Sequence, residues 1–330
     1  MKRNFTVKHE LINGREAVVI GNLGFMSLSD TLECGQAFRY ELVSKEDGYV
    51  EYITVAMGRL IRVGQRCAGE LIFYGEREDG IDEIVRYFAL DLDYEKIKEH
   101  ITEKTDSDWM IRAAECSKGI HILKQESWEA LFSFIISQNN NIPRIRKIIR
   151  KIASEYGENL AIKEGLSVCP KKLCDKPDDR ICKSCGICYS FPTAEAVTKE
   201  PKKLLSSNPG FRYKYLVDAA KRVSLGETDL EKIENAESFE IVIEELKKIL
   251  GVGDKVASCV ALFGMARLEA FPIDVWMKRA IDDYFGGHLD YKSFGEWAGV
   301  AQQYIFHYIR NLEQKEQQST SQNKEAKKDK

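Results

Sequence analysis

Nowhere in its 330 residues does the chain carry an apolar run long enough to cross a membrane, about 20 residues. The opening stretch "MKRNFTVKHELING" also lacks the apolar segment of a secretory signal. No internal repeat is evident, which sets aside repeat architectures. A dominant charge is missing too: 49 basic residues face 52 acidic ones, a net charge of −3. Taken globally, that balance gives no electrostatic footprint of a nucleic-acid partner. The cysteines, nine in all, lack the even count of a disulfide framework, and without a secretion signal they read as thiols in a reducing compartment. These absences leave an intracellular globular protein with no membrane contact. We place it in the cytoplasm or nucleoid of a prokaryote and expect a monomer. Its length allows one large domain or two to three small ones, and 44% hydrophobic content supplies a sizeable core.

What is present is unevenly distributed. "RIRKIIRK" (144–151) holds five cations and no anion, and "FRYKY" (211–215) alternates aromatics with Arg212 and Lys214, whereas "ETDLEKIENAESFEIVIEEL" (227–246) is acidic. Local fields decide phosphate contact more than the total charge does. Up to about residue 78, "EAVVIGN", "YVEYITVAMGRLIRVG" and "GELIFYG" are β-branched and aromatic between Gly and polar breaks, the pattern of an antiparallel sheet. From about residue 80 the apolar residues recur at steps of three and four. Trp128, Leu131, Phe132, Ile135 and Ile136 share one helical face; Ile145, Ile148, Ile149 and Ile152 share another, with Pro143 suited to that helix's first turn. Further helices are expected up to Gly251, from Lys255 to Gly264, from Val275 to about Tyr284 behind an Asp274 cap, and through "FGEWAGVAQQYIFHYIRN". The fold class is α+β. An N-terminal antiparallel sheet domain with a trailing helix (1–110) precedes a helical domain (111–312) made of two subdomains. The almost wholly polar residues 313–330 are expected to be disordered.

The stretch "ILGVGDKVASCVALFG" (249–264) carries the chemistry. "LGVG" between two amphipathic helices (about 238–264) reads as a helix-hairpin-helix, in which Gly251 and Gly253 permit positive φ. The amides of the turn and of the next helix's first turn then form a phosphate seat; a plain glycine-capped turn fits these four residues equally well. Lys255 stands in the first turn of a helix, where the positive dipole end disfavours its charge and favours a neutral amine. A neutral amine can attack an electrophilic sugar carbon and form a Schiff base. Nineteen residues on, "AFPIDVW" places Asp274 at the head of the next helix. An aspartate there caps amides. If the two helices pack side by side, its carboxylate also reaches the lysine, to assist deprotonation or to stabilise a cationic sugar.

With Lys255 and Asp274 in this spacing, the chain resembles the helix-hairpin-helix DNA glycosylases, and more closely the 8-oxoguanine DNA glycosylase/AP lyase family, over roughly residues 20–310. Three further segments carry the likeness: "CGQAFRY" (34–40), "FSFIISQNNNIPRI" (132–145) and "NPGFRYKYLVDAA" (208–220). The resemblance implies double-stranded DNA containing 8-oxoguanine as partner and a lysine displacement that excises the base, followed by β-elimination. The base is first flipped out of the helix. Lys255 would be the nucleophile and Asp274 the catalytic carboxylate. Gly35 would present its carbonyl to the N7 hydrogen that guanine lacks. Cys259 and Phe306 would sandwich the flipped base, with Gln302 reading its Watson–Crick edge. Asn139 would fill the gap in the duplex, Arg144 and Arg212 would read the opposite cytosine, and Phe211 would wedge beside it. Gly251, Gly253 and Trp276 would contact DNA, Trp276 standing where animal relatives carry histidine. Read without the family, Gly35 is a strand-end turn, Cys259 and Phe306 are core, Asn139 a helix cap and the arginines solvated charge.

One segment is extra to that family pattern. "CPKKLCDKPDDRICKSCGIC" sets Cys182 and Cys185 as a CxxC pair and Cys169 with Cys174 as a looser one, four thiolates that suit a structural tetrahedral zinc, with an iron–sulfur cluster as the rival and free thiols as the ordinary case. Cys188 is left over as spare or core. No cofactor is needed for the chemistry itself. Two other functions remain: a related glycosylase with another damaged base, and a non-catalytic DNA-binding module. The set of Gly35, Gln302 and Phe306 argues against the first, and Lys255 with Asp274 against the second.

Overall fold

In the computed structural model, residues 2, 4–76, 80–163 and 186–325 are described, with side chains as far as Glu313. The N-terminal third builds the sheet: β1 (Thr6–Ile12), β2 (Arg15–Gly21), then, after the short helix α1 (Leu28–Glu33), β3 (Tyr40–Glu46), β4 (Tyr49–Ala56), β5 (Arg59–Gln65) and β6 (Leu71–Tyr74). All neighbours are antiparallel, in the order β1-β2-β6-β5-β4-β3. Strand alternation sends Val18, Ile20, Val63, Leu71 and Phe73 to one face, where they pack on Ile84 and Phe88 of α2 (Ile81–Phe88). The opposite face carries only a small apolar cluster of Ala17, Val19 and Ile72.

The helices follow as α3 (Tyr94–Glu103), α4 (Asp108–Ser117), α5 (Ser127–Ser137), α6 (Ile142–Tyr156), α7 (Leu160–Lys163), α8 (Ala194–Lys199), α9 (Tyr213–Ser224), α10 (Leu230–Glu234), α11 (Phe239–Lys247), α12 (Asp254–Gly264), α13 (Val275–Tyr284) and α14 (Ala298–Glu325). Their apolar faces meet in one core through Phe132, Ile135, Ile149, Val260 and Ile305, and Tyr94, Ile97 and Ile101 place α3 in it. Side chains set several helix starts. Asn141 accepts the Arg144 amide at the head of α6, and Asp274 accepts the Met277 amide at 2.9 Å at the head of α13. The helix from Val275 to Tyr284 therefore has the span and the cap that the sequence predicts.

Three expectations change. The basic run of α6 is not all free for phosphate. Arg146 and Arg150 both pair with the buried Glu41 of β3, and Arg146 stacks 4.0 Å from the centroid of Tyr40. Two of the five cations thus bolt the helices to the sheet, and Lys151 pairs with Glu155. The last helix begins later than predicted. Residues Tyr291–Trp297 form a 3-10 helix kinked at Gly295 (φ 58°), and α14 starts at Ala298. That helix also continues to Glu325, where disorder is expected from residue 313. Its Glu, Gln and Lys are good helix formers, and extending a packed helix avoids the cost of nucleation. Cys169, Cys174, Cys182 and Cys185 lie outside the described residues. The stem of their insert is closed by Leu160 N donating to Cys188 O and Ser190 N to Glu158 O, and Cys188 itself is buried.

Candidate active site

Two consecutive helices, α11 and α12, are joined by a turn in which Gly251 adopts φ +81°. A Cβ at Gly251 would lie 2.4 Å from the Tyr215 ring, so glycine is required on both counts. Gly253 does not share that role. Its φ is −101°, extended, and it serves as the N-cap of α12. It contributes no side-chain cap, so the first-turn amides of α12 are left for an external acceptor.

Lys255 follows in that first turn, half-buried. Its ammonium donates to Ser137 Oγ at 3.1 Å and lies 5.4 Å from the centroid of Phe134. Ser137 in turn donates to Phe134 O at 2.8 Å, so its hydroxyl presents lone pairs to the lysine. One helical turn along, Cys259 is buried. Burial pushes its thiol pKa up; the Lys255 charge opposes that shift and Asp274 adds to it. Cys259 is thus a neutral thiol at neutral pH and no rival nucleophile. Among the described residues Lys255 makes no ion pair. Asp274 lies across the same cleft as an N-cap, and the direct lysine–carboxylate contact considered from the sequence is not formed.

A cleft of about 1070 Å³ gathers these groups. Ten of the residues expected at the site line it: Gly35, Asn139, Phe211, Gly253, Lys255, Cys259, Asp274, Trp276, Gln302 and Phe306. They come from the α1–β3 loop, the α5–α6 turn, a short 3-10 turn (Gly210–Arg212), α12, α13 and α14. Gly35 sits at φ +91°, where a Cβ would meet Ile142 Cδ1 at 3.1 Å and Phe306 Cε1 at 3.5 Å. Its neighbour Gln36 is fully buried and fixes this loop: Nε2 donates to Thr31 O and His121 O, while Oε1 accepts from Leu123 N, each at 2.8 Å. Gln302 is buried and accepts from Gln303 Nε2 at 2.9 Å. Phe211 is 51% exposed, a large apolar ring held at the cleft's edge.

Arg144, Arg212 and Gly251 do not line the cleft. Arg144 is exposed on α6. Arg212 is buried rather than solvated, and its guanidinium is spent on the backbone: Nε donates to Gln138 O at 2.8 Å, Nη2 to Asn139 O at 2.9 Å and Nη1 to Pro209 O at 3.2 Å. Burial first, then the Arg144 charge, lower its pKa, which puts the two cations near each other. This clamp holds Asn139 at φ +47° with its side chain exposed, while the capping role passes to Asn141. Arg212→Ala is therefore expected to cost about 1–3 kcal/mol of stability by stripping donors from three carbonyls, read as a lowered melting temperature. Unchanged melting with lost opposite-base selectivity would instead mark Arg212 as a base reader only.

Sequence reasoning passed over Ser137, Phe134 and Arg310, all in the cleft wall. The spacing held the signal: Phe134 and Ser137 are three apart on α5, and Arg310 follows Phe306 by the same four residues that separate Phe306 from Gln302.

Among known proteins, residues 20–131 match the profile of the 8-oxoguanine DNA glycosylase N-terminal domain. The N-glycosylase/DNA lyase of Saccharomyces cerevisiae is 27% identical over 278 residues, 78% of this chain and 68% of the yeast protein. The structure of MBOgg1 in complex with a low-affinity DNA ligand superposes with a TM-score of 0.77 at 32% identity, covering 94% of this chain and 99% of that one. The chain belongs to the 8-oxoguanine DNA glycosylase/lyase family. A second member, the Clostridium acetobutylicum 8-oxoguanine glycosylase/lyase bound to double-stranded DNA with cytosine opposite 8-oxoguanine, is 31% identical with a TM-score of 0.76, covering 93% of this chain and 98% of its own. Among the described residues, no helix is long and apolar enough to cross a membrane, and no cluster of His, Cys, Asp and Glu could hold a metal ion.

Proposed function

We propose that this member of the glycosylase/lyase family acts as a monomer on double-stranded DNA, flips out 8-oxoguanine paired with cytosine and excises it. Lys255 Nζ attacks C1′ of the lesion nucleotide, the base departs, and the resulting Schiff base supports β-elimination that nicks the strand. The observation that carries this reading is the convergence of Lys255 and Asp274 with Gly35, Cys259, Gln302 and Phe306 on one cleft. The DNA complex of the Clostridium relative supports the choice of lesion and of opposite base.

Each residue has a physical task. Asp274 supplies negative charge against the cationic sugar of the transition state. The Gly35 carbonyl accepts the N7 hydrogen of 8-oxoguanine; guanine would set an N7 lone pair there and leave the carbonyl unpaired, at about 1–3 kcal/mol. The Cys259 thiol and the Phe306 ring take the two faces of the base, and the Gln302 amide its Watson–Crick edge. The first-turn amides of α12 behind Gly251 and Gly253, together with Trp276, hold phosphates. Asn139 occupies the space the flipped base leaves, Phe211 wedges beside the opposite cytosine, and Arg144 reads that cytosine. The spacing of the four insert thiols supports a structural zinc.

A panel of duplexes tests substrate choice. Incision is expected with 8-oxoguanine opposite cytosine and at least about 10-fold less with guanine in its place, the scale set by one unpaired carbonyl. Faster incision of an oxidised-pyrimidine duplex would assign the cleft to another base.

A further inference from the structure

The proposed chemistry gives the sugar its nucleophile and its countercharge, but the departing purine takes an electron pair with it. When Lys255 Nζ bonds to C1′, the C1′–N9 pair leaves on the base and spreads over the ring towards its carbonyl oxygens, while the nitrogen's surplus proton passes to solvent or to the freed purine. A donor placed against those oxygens and not against the sugar would stabilise that anion. Resting on the reading above, we infer that Arg310 is this donor.

Arg310 lies on α14, one turn beyond Phe306, and lines the same cleft. Its Cζ is 5.4 Å from the centroid of the Phe306 ring, and Nη1 is 3.6 Å from the point where Gly35 would carry a Cβ. The guanidinium therefore adjoins both the ring that covers the base and the loop whose carbonyl takes the N7 hydrogen. In 8-oxoguanine, O6 and O8 flank N7, so a base anchored at Gly35 turns both oxygens towards this rim. Among the described residues, no carboxylate lies within 4.0 Å of the guanidinium, so its charge is not neutralised by a neighbour. Among the described residues, the titratable groups that feel its charge are Cys34 and Tyr40, on the adjoining α1–β3 segment, and His307 on α14 itself. Cys34 is pushed up to about 12, chiefly by burial, and His307 is pulled down chiefly by burial, so both are neutral at neutral pH. An arginine beside a departing purine donates hydrogen bonds without giving up its proton.

The test exploits the order of the two steps. Single-turnover base release from an 8-oxoguanine:cytosine duplex and strand nicking at a preformed abasic site are measured separately for wild type, Arg310→Met and Arg310→Lys. Arg310→Met is expected to slow base release by about 10²-fold, the usual loss for one preorganised donor. The abasic duplex has no base to expel, so nicking keeps its rate, and Arg310→Lys recovers part of the loss. Thermal melting of both variants reports folding. An equal slowing of both steps, weaker duplex binding as the sole effect, or no effect would each overturn the assignment. Failure of wild type to release 8-oxoguanine would sink the underlying reading instead.

Discussion

Lys255→Gln is expected to give no borohydride-trapped adduct and to lower base release by about 10⁴-fold or more, the scale of losing a covalent nucleophile. Glutamine is one atom shorter but keeps an N–H donor directed at Ser137 Oγ, which Lys255 reaches at 3.1 Å. The Phe134 ring beside it loses only a cation contact. Duplex binding should therefore survive, because the amides at the head of α12 and the cleft walls are unaltered. Release that persists at a tenth of the wild-type rate would mean that water, not Lys255, attacks the sugar.

Asp274→Asn separates a cap from a catalyst. The aspartate accepts the Met277 amide at 2.9 Å, and asparagine caps as well as aspartate does. What the variant loses is charge at the head of α13, about 0.3–1 kcal/mol of helix-dipole stabilisation. Melting should barely move, while base release falls about 10²- to 10³-fold for want of a countercharge to the sugar cation. Asp274→Ala should lose about 1 kcal/mol more in stability, since the cap goes too. If the asparagine variant keeps its rate and the alanine variant loses only stability, Asp274 is a helix cap and the mechanism needs another carboxylate.

The features legible in the sequence were those fixed locally. The Asp274 cap locates the start of α13 and its approximate end, because capping acts within the first turn. Lys255 and Cys259 share a face because they lie one helical turn apart. The misread features depend on partners far along the chain. Arg146 and Arg150 look like free cations until Glu41, more than a hundred residues earlier, folds against them. Arg212 reads as a solvated charge, yet the Gln138 and Asn139 carbonyls over 70 residues away consume its donors. Gly251 and Gly253 are indistinguishable as letters; only the Tyr215 ring beside Gly251 and the extended φ of Gly253 tell them apart. The tail's lack of apolar residues governs core formation but not the extension of an existing helix.

The most direct measurement is the site of covalent capture. Wild-type protein is reduced with borohydride on an 8-oxoguanine:cytosine duplex, and the adduct is digested and mapped by mass spectrometry. The account predicts a sugar remnant on the peptide containing Lys255 and none when that lysine is replaced. An adduct on Lys278, the other lysine lining the cleft, or no adduct at all while the base is released, would contradict it.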